Sequence, residues 1–352
     1  MKKQIFILVL AFFAIGISTS FAQIASDPPT CVATALSPAV GSTYNYATTI
    51  TALPGSYSGI GNYTWYITKN VNVLTGAPEA PNGPEFVASG SATYNTPTAG
   101  PGGNNLSIVW NSAALALNIP YYLVVKYSEN NTLVTCTASN MKVYRIKPVN
   151  TWWLKIASAS DALGTAGGVS VCAADLSKAL MTENAGVGTI EYLYGQNVLF
   201  AKISSTNYTG NWTPTMRVTG LFGDQTIASF TWVNIGGTTG SGTFTAAGVD
   251  ANGNGTYSTS AMPSLYAGQD IAITLTLNNN HHEALADQPI ALAINGIYSS
   301  GATNFKHKSN VNGPCTDATD FEDTVNKVIN ARPGVNQVAP STFAVPNPPI
   351  QP

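Results

Sequence analysis

The chain has 352 residues, of which 9% are charged, and a formal net charge of −2 at pH 7. Soluble domains usually carry roughly 25% charged residues, so this chain lacks the field that nucleic acid or an anionic membrane surface would require. Solubility is left to Thr, Ser, Asn and Gly, a surface common among extracellular β proteins.

Lys2 and Lys3 precede an apolar run from Ile5 to Ile17, and Ser18 to Ala22 come next. Small residues, Ser20 and Ala22, sit three and one positions before a cleavage at Gln23. This pattern predicts a secretory signal peptide over residues 1–22. The run falls short of the roughly 20 residues that span a bilayer, so no transmembrane anchor is expected. The predicted location is extracellular or the cell surface, with the periplasm as the other exported compartment. There, the four cysteines Cys31, Cys136, Cys172 and Cys315 read as disulfides. Four cysteines allow three connectivities; one bridge per domain favours Cys31–Cys136 with Cys172–Cys315.

Period-two alternation, the mark of half-buried strands, dominates the chain beyond Gln23. Trp65 and Ile67 share one face of a strand over 63–68, and Thr64 and Thr68 the other. A strand over 121–127 precedes a turn at Ser128–Asn131. A further strand over 132–138 turns Val134, Cys136 and Ala138 one way. Met141–Ile146 closes a first domain, residues 23–147, and Pro148 and Asn150 mark a linker. The second domain, 148–315, opens at Trp152-Trp153, one of which must face out. Strands are predicted over 198–203, 215–219, 225–233 and 271–278. In the last of these Ile271, Ile273, Leu275 and Leu277 point inward. Ile290, Leu292 and Ile294 repeat the pattern up to a hairpin turn at Asn295-Gly296. Asn82-Gly83, Asn252-Gly253 and Asn312-Gly313 are further turn signals. Residues 175–181 suggest a short helix. Phe321, Val325, Val328 and Ile329 suggest another, stopped by Pro333. Residues 316–352 thus read as a short helix and an extended, Pro-rich tail. The fold class is all-β: two tandem immunoglobulin-like β-sandwich domains.

Several blocks resemble PKD-like and Ig-like domains of secreted Bacteroidota proteins. They are Tyr63-Thr64-Trp65-Tyr66-Ile67, Leu106-Ser107-Ile108-Val109-Trp110 and Tyr121-Tyr122-Leu123-Val124-Val125 with Cys136. In the second half they are Tyr208–Pro214, Gly223-Asp224-Gln225 and Ala286-Asp287-Gln288-Pro289-Ile290. The resemblance spans most of residues 28–335. It implies an extracellular surface, adhesion or assembly protein.

Candidate chemistry is sparse. Asp250-Ala251-Asn252-Gly253-Asn254-Gly255 matches the first half of a calcium loop, with Asp250, Asn252 and Asn254 as ligands. Position twelve is Ala261, not the bidentate Glu, and an Asn-Gly hairpin turn explains the same residues. His281-His282-Glu283 offers imidazole and carboxylate, but adjacent residues on extended chain point apart; His307 is the third histidine. There is no nucleophile elbow and no CxxC, so no catalytic residue and no cofactor beyond calcium is assigned. Six Trp and 16 Tyr could stack on sugars, although sandwich cores use such residues more often. The expected function is a non-catalytic structural or adhesion protein, self-assembling through strand edges. Its partners would be itself, other surface proteins or glycans. A carbohydrate-binding module is the alternative.

Overall fold

The structure is a computed structural model that describes residues 33–50, 55–89, 94–184, 187–236, 239–309 and 315–334. The predicted signal peptide, Cys31, the Asn312-Gly313 turn and the Pro-rich tail lie outside these residues.

The chain is all-β and folds as two β-sandwiches. The first uses β1 (Thr43–Ala47), β2 (Asn62–Thr68), β3 (Phe86–Ser89), β4 (Thr98–Ala99), β5 (Asn105–Trp110), β6 (Tyr121–Asn130) and β7 (Thr137–Ile146). They form a three-stranded sheet, β1-β5-β3, and a four-stranded sheet, β4-β2-β6-β7. A single helical turn, α1 (Ala113–Ala116), bridges β5 and β6. Alternation builds the core: Trp65, Ile67, Leu106, Ile108, Trp110, Tyr121 and Leu123 are fully buried between the sheets.

The second sandwich is larger. It begins with β8 (Trp153–Ala159), β9 (Ser170–Cys172), β10 (Leu176–Asn184), β11 (Val187–Thr206), β12 (Gly210–Thr219) and β13 (Thr226–Ile235). β14 (Ser241–Thr243), β15 (Thr245–Val249), β16 (Gly255–Ser258), β17 (Met262–Ser264) and β18 (Gln269–Asn280) come next. β19 (Gln288–Ser300), β20 (Thr303–Lys306), β21 (Lys308–Ser309), β22 (Thr316–Asp317) and β23 (Asp323–Asn330) complete it. One sheet runs β14-β13-β18-β11-β8-β21-β22 with β10 added on β11. The other runs β15-β16-β12-β19-β23-β9, with β17 on β12 and β20 on β19. Ile271, Ile273, Leu275 and Leu277 face inward as predicted, and all are fully buried.

Trp152 anchors the junction. Its ring packs 5.3–5.8 Å from the rings of Tyr208, Trp212, Tyr298 and His307. Its Nε1 donates to Ser205 Oγ at 2.9 Å. Trp153 turns out to solvent, as adjacent residues of a strand must. The two sandwiches touch beside the linker. The Gly41 backbone lies against Thr209, and Ala39 bridges Val149 of the linker.

Four sequence expectations are corrected. Residues 320–332 are not a helix: β23 pairs antiparallel with β19 and parallel with β9. The second sandwich therefore runs to residue 330, not 315. Of residues 175–181, all but Asp175 are strand, because Leu176–Asn184 pairs with β11. Asn295-Gly296 is no turn; β19 runs straight through it, and Gly296 passes so close to Leu154, Trp152 and Trp212 that a Cβ would not fit. The turn after β6 falls at 131–136, because Asn131 Oδ1 accepts from the Leu133 and Val134 N–H groups, an Asx turn. Residues 132–136 are consequently exposed loop.

Glu129 fixes the loop over residues 55–61 to β6. Its carboxylate accepts from Ser58 N and Oγ, Gly59 N and Tyr127 Oη. The Ser58 and Tyr127 hydrogen bonds hold its carboxyl down to about 2. A depressed carboxylate contributes stability above its ordinary value, and loses it as pH falls through the depressed one. Glu129→Gln should therefore lower the urea midpoint at pH 7, and the gap to wild type should close between pH 4.5 and 2. A variant that tracks wild type at every pH would remove this anchor from the account.

Candidate interaction surfaces

The predicted calcium residues form the β15–β16 hairpin turn. Asp250 Oδ1 accepts from the Asn252 and Asn254 N–H groups, each at 2.9 Å, and Asn254 Nδ2 donates to Asp250 Oδ2. These hydrogen bonds hold the Asp250 carboxyl below its ordinary range, led by the Asn254 side chain. The other side of the Asn254 amide is spent on Leu221, accepting from its N–H and donating to its carbonyl. Gly253 takes the left-handed conformation that the turn needs, φ +94°. Asn-Gly turn chemistry accounts for the contacts within residues 250–254.

His281 and His282 do point apart. His281 Nδ1 meets the Tyr192 carbonyl at 2.9 Å, and its Nε2 lies 3.4 Å from Glu191. His282 turns to the Phe222 ring. His307 is buried and pairs with Asp323 through Nε2 at 2.8 Å. Lys327 is buried at a period-two position of β23. Burial pushes its ammonium down, and Ser158 Oγ, the Ala159 carbonyl and the Gly168 carbonyl accept its protons. Among the described residues no three His, Cys, Asp or Glu side chains converge as a metal set. Trp65, Trp110, Trp152 and Trp212 are all buried in cores, so those four rings present no row to a sugar.

What the sandwich leaves open is backbone. β11 has 20 residues, but β18 pairs with it only from Tyr194 onward, and β8 only from Phe200. Val187 to Leu193 pairs with β10 alone, over Lys178–Asn184. This two-stranded ribbon extends past the sheet, and the outer edge of β10 has no strand partner among the described residues. Cross-strand pairs share a face. Met181 with Ile190 and Ala179 with Tyr192 therefore make one face. Leu180 with Glu191 and Lys178 with Leu193 make the other. Met181 is 69% exposed, Ile190 52% and Tyr192 46%.

The foot of the ribbon is held firmly. Arg332 stacks its guanidinium 4.1 Å from the Tyr194 ring and donates to the Glu283 and Ala174 carbonyls. His281 adds its contacts to Tyr192 and Glu191. Beneath lies a buried amide network. Gln225 Nε2 donates to Asn279 and Gln288, Asn279 Nδ2 to Asn197, and Asn197 Nδ2 to the Cys172 carbonyl. Neither the ribbon nor this network was visible in the sequence. The signal that could have found the ribbon is the apolar alternation of Ile190 and Tyr192, which belongs to no predicted strand.

The cysteines correct the expected pairing. Cys136 and Cys172 are free and exposed, whereas Cys315 is disulfide-bonded. Neither Cys31–Cys136 nor Cys172–Cys315 is therefore formed. The reason is placement: Cys136 sits at the tip of the β6–β7 hairpin and Cys172 at a sheet edge in the other sandwich.

No family model matches the sequence, and no curated protein matches it. Among solved structures the chain is similar to the collagen-binding domain from a Staphylococcus aureus adhesin, at 10% identity over 39% of this chain and 97% of that one, TM-score 0.23. It is similar to the Streptococcus agalactiae AgI/II polypeptide BspA C terminal domain, at 8% identity over 77% and 93%, TM-score 0.25. It is similar to the full-length major pilin SpaD from Corynebacterium diphtheriae, at 10% identity over 82% and 65%, TM-score 0.27. These superpositions are partial, and what those proteins bind is theirs.

Alkylation of the unreduced, unfolded protein followed by peptide mapping should label Cys136 and Cys172. The Cys315 peptide should run cross-linked to a peptide holding neither. A Cys172–Cys315 cross-link would restore the pairing expected from sequence.

Proposed function

We propose that this chain is a non-catalytic extracellular structural or adhesive subunit that associates with copies of itself through strand edges. The observation that supports this reading best is the β10–β11 ribbon. A two-stranded ribbon is marginally stable in water, and an open edge of unpaired N–H and C=O groups is a template for another strand. Proteins that keep such edges monomeric use Pro, bulges or repeated charge. β10 has no Pro and two charges, Lys178 and Glu183, and its one register shift falls at its start, between Leu176 and Lys178, so the stretch Ala179–Met181 has none of these guards. Its apolar face, Met181, Ile190 and Tyr192, is of the kind that marks a protein contact. A second open edge is β15, Thr245-Ala246-Ala247-Gly248-Val249, wholly exposed and without a charge, with one register shift between Ala246 and Gly248.

Sedimentation velocity of the reduced, thiol-blocked protein tests this. The wild type should sediment faster as concentration rises, while Met181→Glu with Ile190→Glu should stay monomeric with unchanged circular dichroism. A wild type that remains monomeric throughout, or a double variant that associates equally well, would overturn the reading.

A further inference from the structure

The last described residues lie beside the ribbon. Arg332 sets its guanidinium 4.1 Å from the Tyr194 ring and donates to the Glu283 and Ala174 carbonyls. Its backbone N–H donates to the Ala284 carbonyl at 2.8 Å. Backbone and side chain together therefore fix the point from which the rest of the sequence departs. Period two along β11 sets Ile190 and Tyr192 on the face that Tyr194 presents to Arg332. Met181 and Ala179 pair with those two residues from β10 and share the face. From the ribbon foot to the Met181–Ile190 pair this face carries no charge, whereas the opposite face carries Lys178 and Glu191.

Residues 335–352 follow Gly334, and none of them is charged. They open with Val335 and Val338, then set Phe343 and Val345 two apart between Pro340 and Pro346. Two side chains at that spacing on extended chain share one side. Proline restricts a chain before it binds, so docking a Pro-rich segment costs little entropy, and aromatic-lined surfaces take up such segments. Tyr192 and Tyr194 supply the aromatic rings here. Reach is ample. Tyr194 to Ile190 is four residue steps, about 14 Å along the strand. Gly334 to Phe343 is nine steps, about 28 Å at the rise of an extended Pro-rich chain. The difference is left to cross from Arg332 to the strand.

We propose that residues 335–345 fold back over the Met181–Ile190–Tyr192 face of their own ribbon, with Phe343 and Val345 against Met181 and Ile190. The tether at Arg332 makes this contact intramolecular, with an effective concentration in the mM range for a short linker. A tail from another copy must compete from free solution. The occupant matches the surface, since both are apolar and uncharged. One consequence rests on the self-association reading above: the tail and a second copy compete for one face, so the tail sets the concentration at which copies associate.

Peroxide oxidation of Met181 reads the tail contact without relying on association. Met181 is exposed, and the fully buried Met216 and Met262 serve as internal references. The thiol-blocked protein, dilute enough to sediment as a monomer, is treated with hydrogen peroxide, and Met181 sulfoxide is followed by peptide mapping. A chain ending at Gly334 should oxidise at Met181 roughly threefold faster than the full chain, since a tail docked two-thirds of the time leaves one chain in three open. Phe343→Asp with Val345→Asp in the full chain should match the truncation, and Met216 and Met262 should stay unoxidised throughout. Equal Met181 rates in the full and truncated chains would overturn the proposal. So would protection that fades as the monomer is diluted further, which would mean a tail from another copy. Sedimentation separates the two readings. The truncated chain should associate at roughly one-third of the concentration that the full chain needs. Faster oxidation with no association by either chain overturns the self-association reading and leaves the tail contact standing. Association by both chains with equal oxidation overturns only the tail contact.

Discussion

β11 outruns the sheet that it belongs to. Its second half is held on both sides, by β18 and β8, and its side chains alternate into a core. Its first seven residues, Val187 to Leu193, are held only by β10. The same strand therefore serves as scaffold at one end and as an unfinished sheet at the other. Every backbone N–H and C=O must find a partner in protein or water, and on the outer edge of β10 that partner is water unless another strand docks there.

The residues that elsewhere carry chemistry are spent here on holding the scaffold together. His307 and Asp323 join the bend after β20 to β23. Lys327 ties β23 to the end of β8 and the loop beyond it. Gln225, Asn279, Gln288 and Asn197 form a buried amide network directly beneath the ribbon foot and Cys172. Buried polar groups that are fully partnered stiffen the elements that they join. The ribbon thus projects from a rigid end, where Arg332 and His281 grip it.

The long inner strands were legible because burial imposes period two on one face: Trp65 with Ile67, and Ile271 through Leu277. Where the pattern misled, the physics is specific. Val325 and Ile329 are four residues apart, a spacing that fits a helix and also fits a strand. The inward position between them is Lys327, whose charge hid the alternation. In 132–138 the alternation of Val134, Cys136 and Ala138 is real, yet the Asn131 side chain captures two N–H groups and turns the chain first. Asn295-Gly296 looked like a turn, but the small residue is needed because three large side chains crowd it. Gln225 and Gln288, which fall within blocks that carried the resemblance to secreted surface domains, prove to be members of the amide network. Disulfide pairing was illegible, since it depends on where strand ends lie in space.

Hydrogen–deuterium exchange of the β10 amides, Leu176–Met181, monitored as a function of protein concentration, tests the central claim most directly. A strand that docks against a second copy should exchange quickly in dilute solution and become protected as concentration rises, while β18 stays protected throughout. Rapid exchange in β10 at every concentration would contradict the account.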